Sequence, residues 1–124
     1  MSDDPDRQLQ ILCKTFLSEI RSDQPDLNLR QLAVLLVVYQ TDELQTVRGL
    51  AKHLNISKPA VTRALDRLGE FGLVRREIDP KDRRSVLVQR TAGGAVMVRR
   101  LEAAMAQAVI ILEPRATGQD KAGL

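Results

Sequence analysis

The chain has 124 residues, 44% apolar and 28% charged, a balance that suits one globular domain with its own core and is unlike collagen, a wholly disordered chain or a membrane protein. With a single Cys (Cys13) and a single His (His53) it can form no internal disulfide, and it offers little material for zinc-ligand clusters or for Cys/His and Ser/His/Asp catalytic sets. The net charge is only +3, yet residues 48 to 90 hold eleven Lys/Arg against five Asp/Glu, so the remainder is net acidic.

Other classes are disfavoured by pattern. No glycine-rich phosphate loop is present, and the reading is of a non-enzyme that needs no cofactor and no metal. The apolar run Leu32 to Val38 is too short to cross a bilayer. The start, Met1-Ser2-Asp3-Asp4-Pro5-Asp6, is acidic and lacks the basic and apolar regions of a secretory signal, so the expected location is cytoplasmic, away from membranes.

In chain order, Leu9, Leu12, Cys13, Phe16, Leu17 and Ile20 recur at helical spacing and predict an amphipathic helix over about 6–21, ended by the segment Ser22 to Asp26 with its proline. A second helix near Asn28 to Tyr39 is apolar almost all round and reads as a buried strut. Thr46 is placed to cap a short third helix with Val47, Leu50, Ala51 and Leu54 on one face, closed by Asn55, which tolerates a left-handed turn. Ser57 caps a fourth helix with Pro59 in its first turn, Val61, Ala64, Leu65 and Leu68 on its inner stripe, and Gly72 as its stop.

Two β-prone runs follow, Leu73 to Ile78 and Ser85 to Arg90, joined by the charged loop Asp79 to Arg84. Thr91 then caps a long helix from about Ala92 to Leu112, roughly 30 Å at 1.5 Å per residue. Its stripe of Val98, Leu101, Met105, Ala108 and Leu112 serves as core or as a dimer seam, and length favours the seam. Arg99 and Arg100 read as exposed. The expected organisation is a single domain over 1–113 with a reading lobe at about 46–91, dimerisation helices at about 6–21 and 92–112, and a flexible tail at 114–124.

On the fourth helix Ser57, Lys58, Thr62 and Arg63 lie early on the outer side, and the carboxylates Asp66 and Glu70 come late. Carboxylates repel phosphate, so such a helix enters a DNA groove by its N-terminal half. Arg63 suits the O6 and N7 edge of guanine, Thr62 a thymine methyl, and Ser57 and Lys58 phosphates. At the tip of the ribbon Asp82 can brace Arg84 for a narrow minor groove, with Lys81 and Arg83 set for flanking phosphates.

Leu50-Ala51-Lys52-His53-Leu54-Asn55-Ile56-Ser57-Lys58-Pro59-Ala60-Val61-Thr62-Arg63, then Gly72-Leu73-Val74 with Arg75-Arg76, then Asp79-Pro80-Lys81-Asp82-Arg83-Arg84-Ser85, and Thr91 followed by Gly94, together resemble the multiple antibiotic resistance regulator (MarR) family over about residues 28 to 105. The resemblance implies a mostly α fold with a small β-hairpin wing, a winged helix-turn-helix with N- and C-terminal dimerisation helices. It also implies a homodimer on a pseudopalindromic double-stranded operator, usually as a repressor and often responsive to a small aromatic or anionic effector. The family's reading-helix and wing positions transfer to Ser57, Lys58, Pro59, Thr62, Arg63, Asp82 and Arg84. The chain after Leu112 is short and polar, which leads to the expectation of a smaller dimer bundle, and Arg90 stands where the family tends to have Leu, so it is either exposed or an additional basic contact.

Plainer readings stand beside these. Arg67 and Glu70, and Arg63 and Asp66, could pair along the helix. Arg75 and Arg76 suit phosphate or simple solvation, and His53 suits a helix C-terminus. Cys13 could be a redox sensor, as in a peroxide-sensing branch of the family, or an apolar filler on a buried stripe with Leu9 and Phe16. The rival function of a different class is a winged-helix module for protein association.

Overall fold

Caps and turn residues set nearly every boundary in the computed structural model, which describes residues 4–113. The elements run α1 (Pro5–Arg21), α2 (Leu29–Gln40), β1 (Gln45–Thr46), α3 (Val47–Leu54), α4 (Lys58–Glu70), β2 (Val74–Asp79), β3 (Asp82–Arg90) and α5 (Ala92–Leu112). The fold is mostly α with one small antiparallel sheet, as the sequence led us to expect. The expected tail at 114–124 lies outside the described residues. Among the described residues no helix is long and apolar enough to cross a membrane.

Contacts group the chain into two units, one of residues 25–99 and one that joins the segment before 25 to the segment from 100 on. In the 25–99 unit, Asn28 and Gln31 form a reciprocal capping box at the start of α2, which satisfies two backbone donors there. Val34, Leu35 and Val38 of α2 meet Leu50 of α3, Val61, Ala64, Leu65 and Leu68 of α4, Val88 of β3 and Met97 of α5 in one core. The inner stripe predicted for α4 is fully buried, and Ala60 joins it.

α4 ends in a Schellman turn. The Leu73 N–H donates to the Leu68 carbonyl and the Gly72 N–H to that of Gly69, both at 2.9 Å, with Gly72 at φ +73°.

The sheet has one more strand than the hairpin read from sequence. β1 pairs with β3 (Gln45↔Val88, Thr46↔Leu87), giving the order β1-β3-β2. Two residues carry no period to detect, and Thr46 also caps α3 as its sequence position predicts, accepting from the Gly49 N–H at 2.9 Å.

The charged loop is also shorter than expected, because β2 extends through Asp79 and β3 starts at Asp82, leaving Pro80-Lys81 as the turn. Its polar side chains serve the backbone of the turn: the Lys81 N–H donates to Asp79 at 2.9 Å and the Arg84 N–H to Asp82 at 3.1 Å. Neither central residue has a positive φ, so this is not a primed hairpin turn. The register slips between Ile78↔Val86 and Asp79↔Asp82, with Arg83, Arg84 and Ser85 of β3 lying between those pairs.

One junction ties α2, the sheet and α5 together. The Tyr39 hydroxyl donates to the Leu73 carbonyl at 2.8 Å and accepts from the Thr91 N–H at 2.9 Å. Thr91 Oγ1 donates to the Gly72 carbonyl at 2.7 Å and accepts from the Gly94 N–H at 2.9 Å, the cap expected for α5. A Cβ on Gly94 would overlap both Tyr39 Oη and the Leu73 carbonyl.

In the second unit, α1 is capped by Asp4, whose side chain accepts from the Asp6 N–H at 3.0 Å. It stops at Ser22, whose N–H and hydroxyl both donate to the Glu19 carbonyl, so the helix ends before Pro25 can act. Arg7 pairs with Glu113 at 3.3 Å. The stripe on α1 is not buried as the plain reading of Cys13 required. Leu9, Leu12, Phe16, Leu17 and Ile20 are exposed, and so is Cys13, while Thr15 is the buried residue of the helix. On α5, Leu101 and Ala108 are buried but Met105 is exposed, with Ile110 and Ile111. Arg99 is exposed as expected; Arg100 is half-buried.

Gly94→Ala should therefore cost about 3 kcal/mol, the upper end for forcing an atom into a filled site. A urea midpoint equal to that of the wild type would contradict the junction.

Candidate nucleic-acid interface

The helix-turn-helix is built by local chemistry. Asn55 adopts the left-handed region at φ 57°, ψ 46°, and the Ile56 N–H reaches back to the Ala51 carbonyl at 3.1 Å, turning the chain sharply out of α3. Ser57 Oγ then accepts from the Ala60 N–H at 3.2 Å and starts α4, with Pro59 in the first turn. His53 and Lys52 sit in the last turn of α3, where positive charge suits the helix dipole.

Ser57, Lys58, Pro59, Thr62 and Arg63 are all exposed on the first half of α4. The Ser57 oxygen is used as an acceptor in its cap, so its O–H remains a donor to an anion. The second half of α4 is electrically quieter. Asp66 pairs with Arg76 on β2 at 2.6 Å, and Glu70 with Arg67 at 2.9 Å. Arg67 also stacks over Phe71, 4.6 Å from the ring centre.

The pairing considered between Arg63 and Asp66 does not form, because Asp66 is held across from β2. Among the described residues Arg63 has no ion-pair partner. The Arg67–Glu70 pair forms as read, and Arg76 is assigned to Asp66 in place of either role considered for it; Arg75 is exposed.

At the wing tip Lys81, Asp82, Arg83 and Arg84 are exposed. Arg84 Nε lies 3.8 Å from Asp82 Oδ1, and the Arg84 side chain is 90% exposed. An exposed pair of this length contributes at most about 1 kcal/mol, so Asp82 orients the guanidinium without holding it back from another anion.

Two arginines have placements that the sequence reading did not give. Arg90, although exposed as a residue, reaches the end of α2: Nε donates to the Val38 carbonyl at 3.0 Å, Nη2 to that of Thr41 at 2.5 Å, and the guanidinium lies 5.5 Å from the Tyr39 ring centre. It is therefore a clamp on the last turn and cap of α2, whose Val38 and Thr41 carbonyls have no backbone donor among the described residues, and not an additional basic contact. The available signal was alternation, since Arg90 lies on the same strand face as buried Val88 and an inward cation needs acceptors. Arg30 is the second: with Asn28 and Gln31 of α2 it lines an open depression shared with Ala60, Arg63 and Ala64 of α4.

Residues 27–86 match the model of the MarR family. No curated protein matches the sequence. Among solved structures, the transcriptional regulator Tm0710 from Thermotoga maritima superposes with a TM-score of 0.71 at 18% identity, over 87% of this chain and 73% of that one. MepR of S. aureus, solved as a DNA complex, gives 0.62 at 21% identity over 83% and 76%. CouR from Rhodococcus jostii RHA1, solved with p-coumaroyl-CoA, gives 0.56 at 29% identity over 69% of this chain and 60% of its own. The first two likenesses establish a shared fold, and the expected MarR-type winged helix is the observed one.

The Arg90 clamp carries its own test. Arg90→Lys should lose about 1 kcal/mol of stability, since one ammonium cannot reproduce a fork onto two carbonyls. Equal urea midpoints for the two proteins would show that the clamp has no energetic role.

Proposed function

We propose that this MarR-family DNA-binding regulator acts as a homodimeric repressor on a pseudopalindromic operator and is released by a small aromatic or anionic effector. The observation that carries the reading is the division of α4: its first half exposes Lys58, Thr62 and Arg63, the last without an ion pair among the described residues, while the carboxylates of its second half are neutralised by Arg76 and Arg67. A helix polarised in this way presents donors to a groove and keeps negative charge from phosphate.

In this reading Arg63 hydrogen-bonds a guanine edge, Thr62 contacts a thymine methyl, and Ser57 and Lys58 hold phosphates around the turn made by Pro59. Arg84, oriented by Asp82, enters the minor groove, and Lys81 and Arg83 contact the strands beside it. Dimerisation is supported by the apolar side chains on α1 and the end of α5, where Leu9, Leu12, Phe16, Leu17, Ile20, Met105, Ile110 and Ile111 are exposed in one chain. So much apolar surface is unfavourable in water and suits a second copy. Effector release takes its support from CouR, whose structure contains p-coumaroyl-CoA.

Selection of bound duplexes from a random pool tests the reading, and a two-fold symmetric consensus is expected. Arg63→Ala should then cost about 1–3 kcal/mol and relax choice at one position of each half-site, whereas Lys58→Ala should weaken all duplexes alike. A pool that returns no consensus, or an Arg63→Ala loss equal on every duplex, would overturn the assignment of Arg63 as a base reader.

A further inference from the structure

We propose that Arg30, in the first turn of α2, is a second duplex-contacting arginine that grips the backbone phosphate bordering the base read by Arg63. The inference rests on the DNA-reading assignment above and extends it to a helix outside the helix-turn-helix.

The depression shared by the start of α2 and the first half of α4 is lined by Asn28, Arg30, Gln31, Ala60, Arg63 and Ala64, with no carboxylate among them. Both arginines are exposed, and neither enters an ion pair among the described residues, where the paired arginines are Arg7, Arg67, Arg76 and Arg84. Two unpaired guanidiniums on one depression repel each other, and an anion between them relieves the repulsion and satisfies their donors.

The polar neighbours point the same way. In the capping box Asn28 Oδ1 accepts from the Gln31 N–H at 2.8 Å and Gln31 Oε1 accepts from the Asn28 N–H at 3.0 Å. Both side-chain oxygens are thus committed, and the two side-chain amide NH2 groups, donors only, are left out of the box. The surface is therefore rich in donors and suited to an oxyanion.

Geometry selects the backbone over a base. α4 is the helix whose exposed half enters the groove, whereas α2 leads away into the core, with Val34 and Leu35 at 0% exposure. Arg30 stands on the flank of the entering helix, where the strand bordering the groove passes. An arginine can meet a phosphate there with two parallel N–H donors.

The test compares wild type, Arg30→Gln and Arg30→Lys on two probes, the duplex selected from the random pool and a mixed-sequence duplex, across a salt series. Arg30→Gln should weaken both probes by the same factor and flatten the slope of log affinity against log salt by about 0.9, the contribution of one phosphate. The wild-type advantage then shrinks three- to fourfold between roughly 50 and 200 mM salt. Arg30→Lys should restore most of the slope, a rescue that a packing role for the side chain would not give.

If wild type binds duplex and Arg30→Gln keeps the wild-type slope, the Arg30 contact is wrong while the DNA-reading assignment stands. A loss confined to the selected duplex also overturns it, since that is the behaviour of a base reader. If wild type binds neither probe, the DNA-reading assignment itself fails.

Discussion

A single phenolic oxygen carries the geometry of the winged-helix lobe. Tyr39, at the end of α2, meets the first residue after the Schellman turn of α4 through Leu73 and the first residue after β3 through Thr91. Thr91 completes the lock by donating to Gly72, and Gly94 must lack a side chain for the hydroxyl to fit. The exit of α4 and both strands at the base of the wing are thereby set against one another. Arg90 strengthens the same corner by holding the carbonyls of Val38 and Thr41. What is exposed at the front of the lobe depends on this corner, because α4 and the wing leave it in opposite chain directions.

On that frame the charges are sorted more than they are balanced. The ion pairs of α4 and the wing are exposed, so each contributes little to stability. Their effect is on the surface field: Arg76 and Arg67 cover the two carboxylates of the second half of α4, while Lys58, Arg63 and Arg30 are exposed and enter no ion pair among the described residues. The wing repeats the arrangement with Asp79 and Asp82 turned onto backbone N–H groups of their own turn. A lobe with a modest surplus of charge thus acquires a cationic front.

Much of this was legible in the sequence because punctuation residues act locally. Thr46, Asn55, Ser57, Pro59, Gly72 and Thr91 each impose one backbone geometry, and each does so where the sequence placed it. What escaped depended on partners distant along the chain. β1 exists only because β3 lies beside it, and the Arg90 clamp needs carbonyls that lie roughly fifty residues earlier. The Arg63–Asp66 pairing had the right spacing but lost to Arg76, a competitor ten residues away that only the packing of α4 on β2 brings within reach. The α1 stripe shows the converse limit: periodicity identified the apolar face correctly, but it does not say whether that face is covered within one chain.

The apolar faces of α1 and the end of α5 give the second half of the account, since a surface that suits a second copy would present two reading lobes to one duplex. The most direct measurement is a crystal structure of the chain with its selected duplex. It should place the first half of α4 in the major groove of each half-site with Arg63 on a base edge, and the wing tip over the adjacent minor groove. A duplex seated on any other face, or gripped by a lone chain with α4 turned to solvent, would contradict the account.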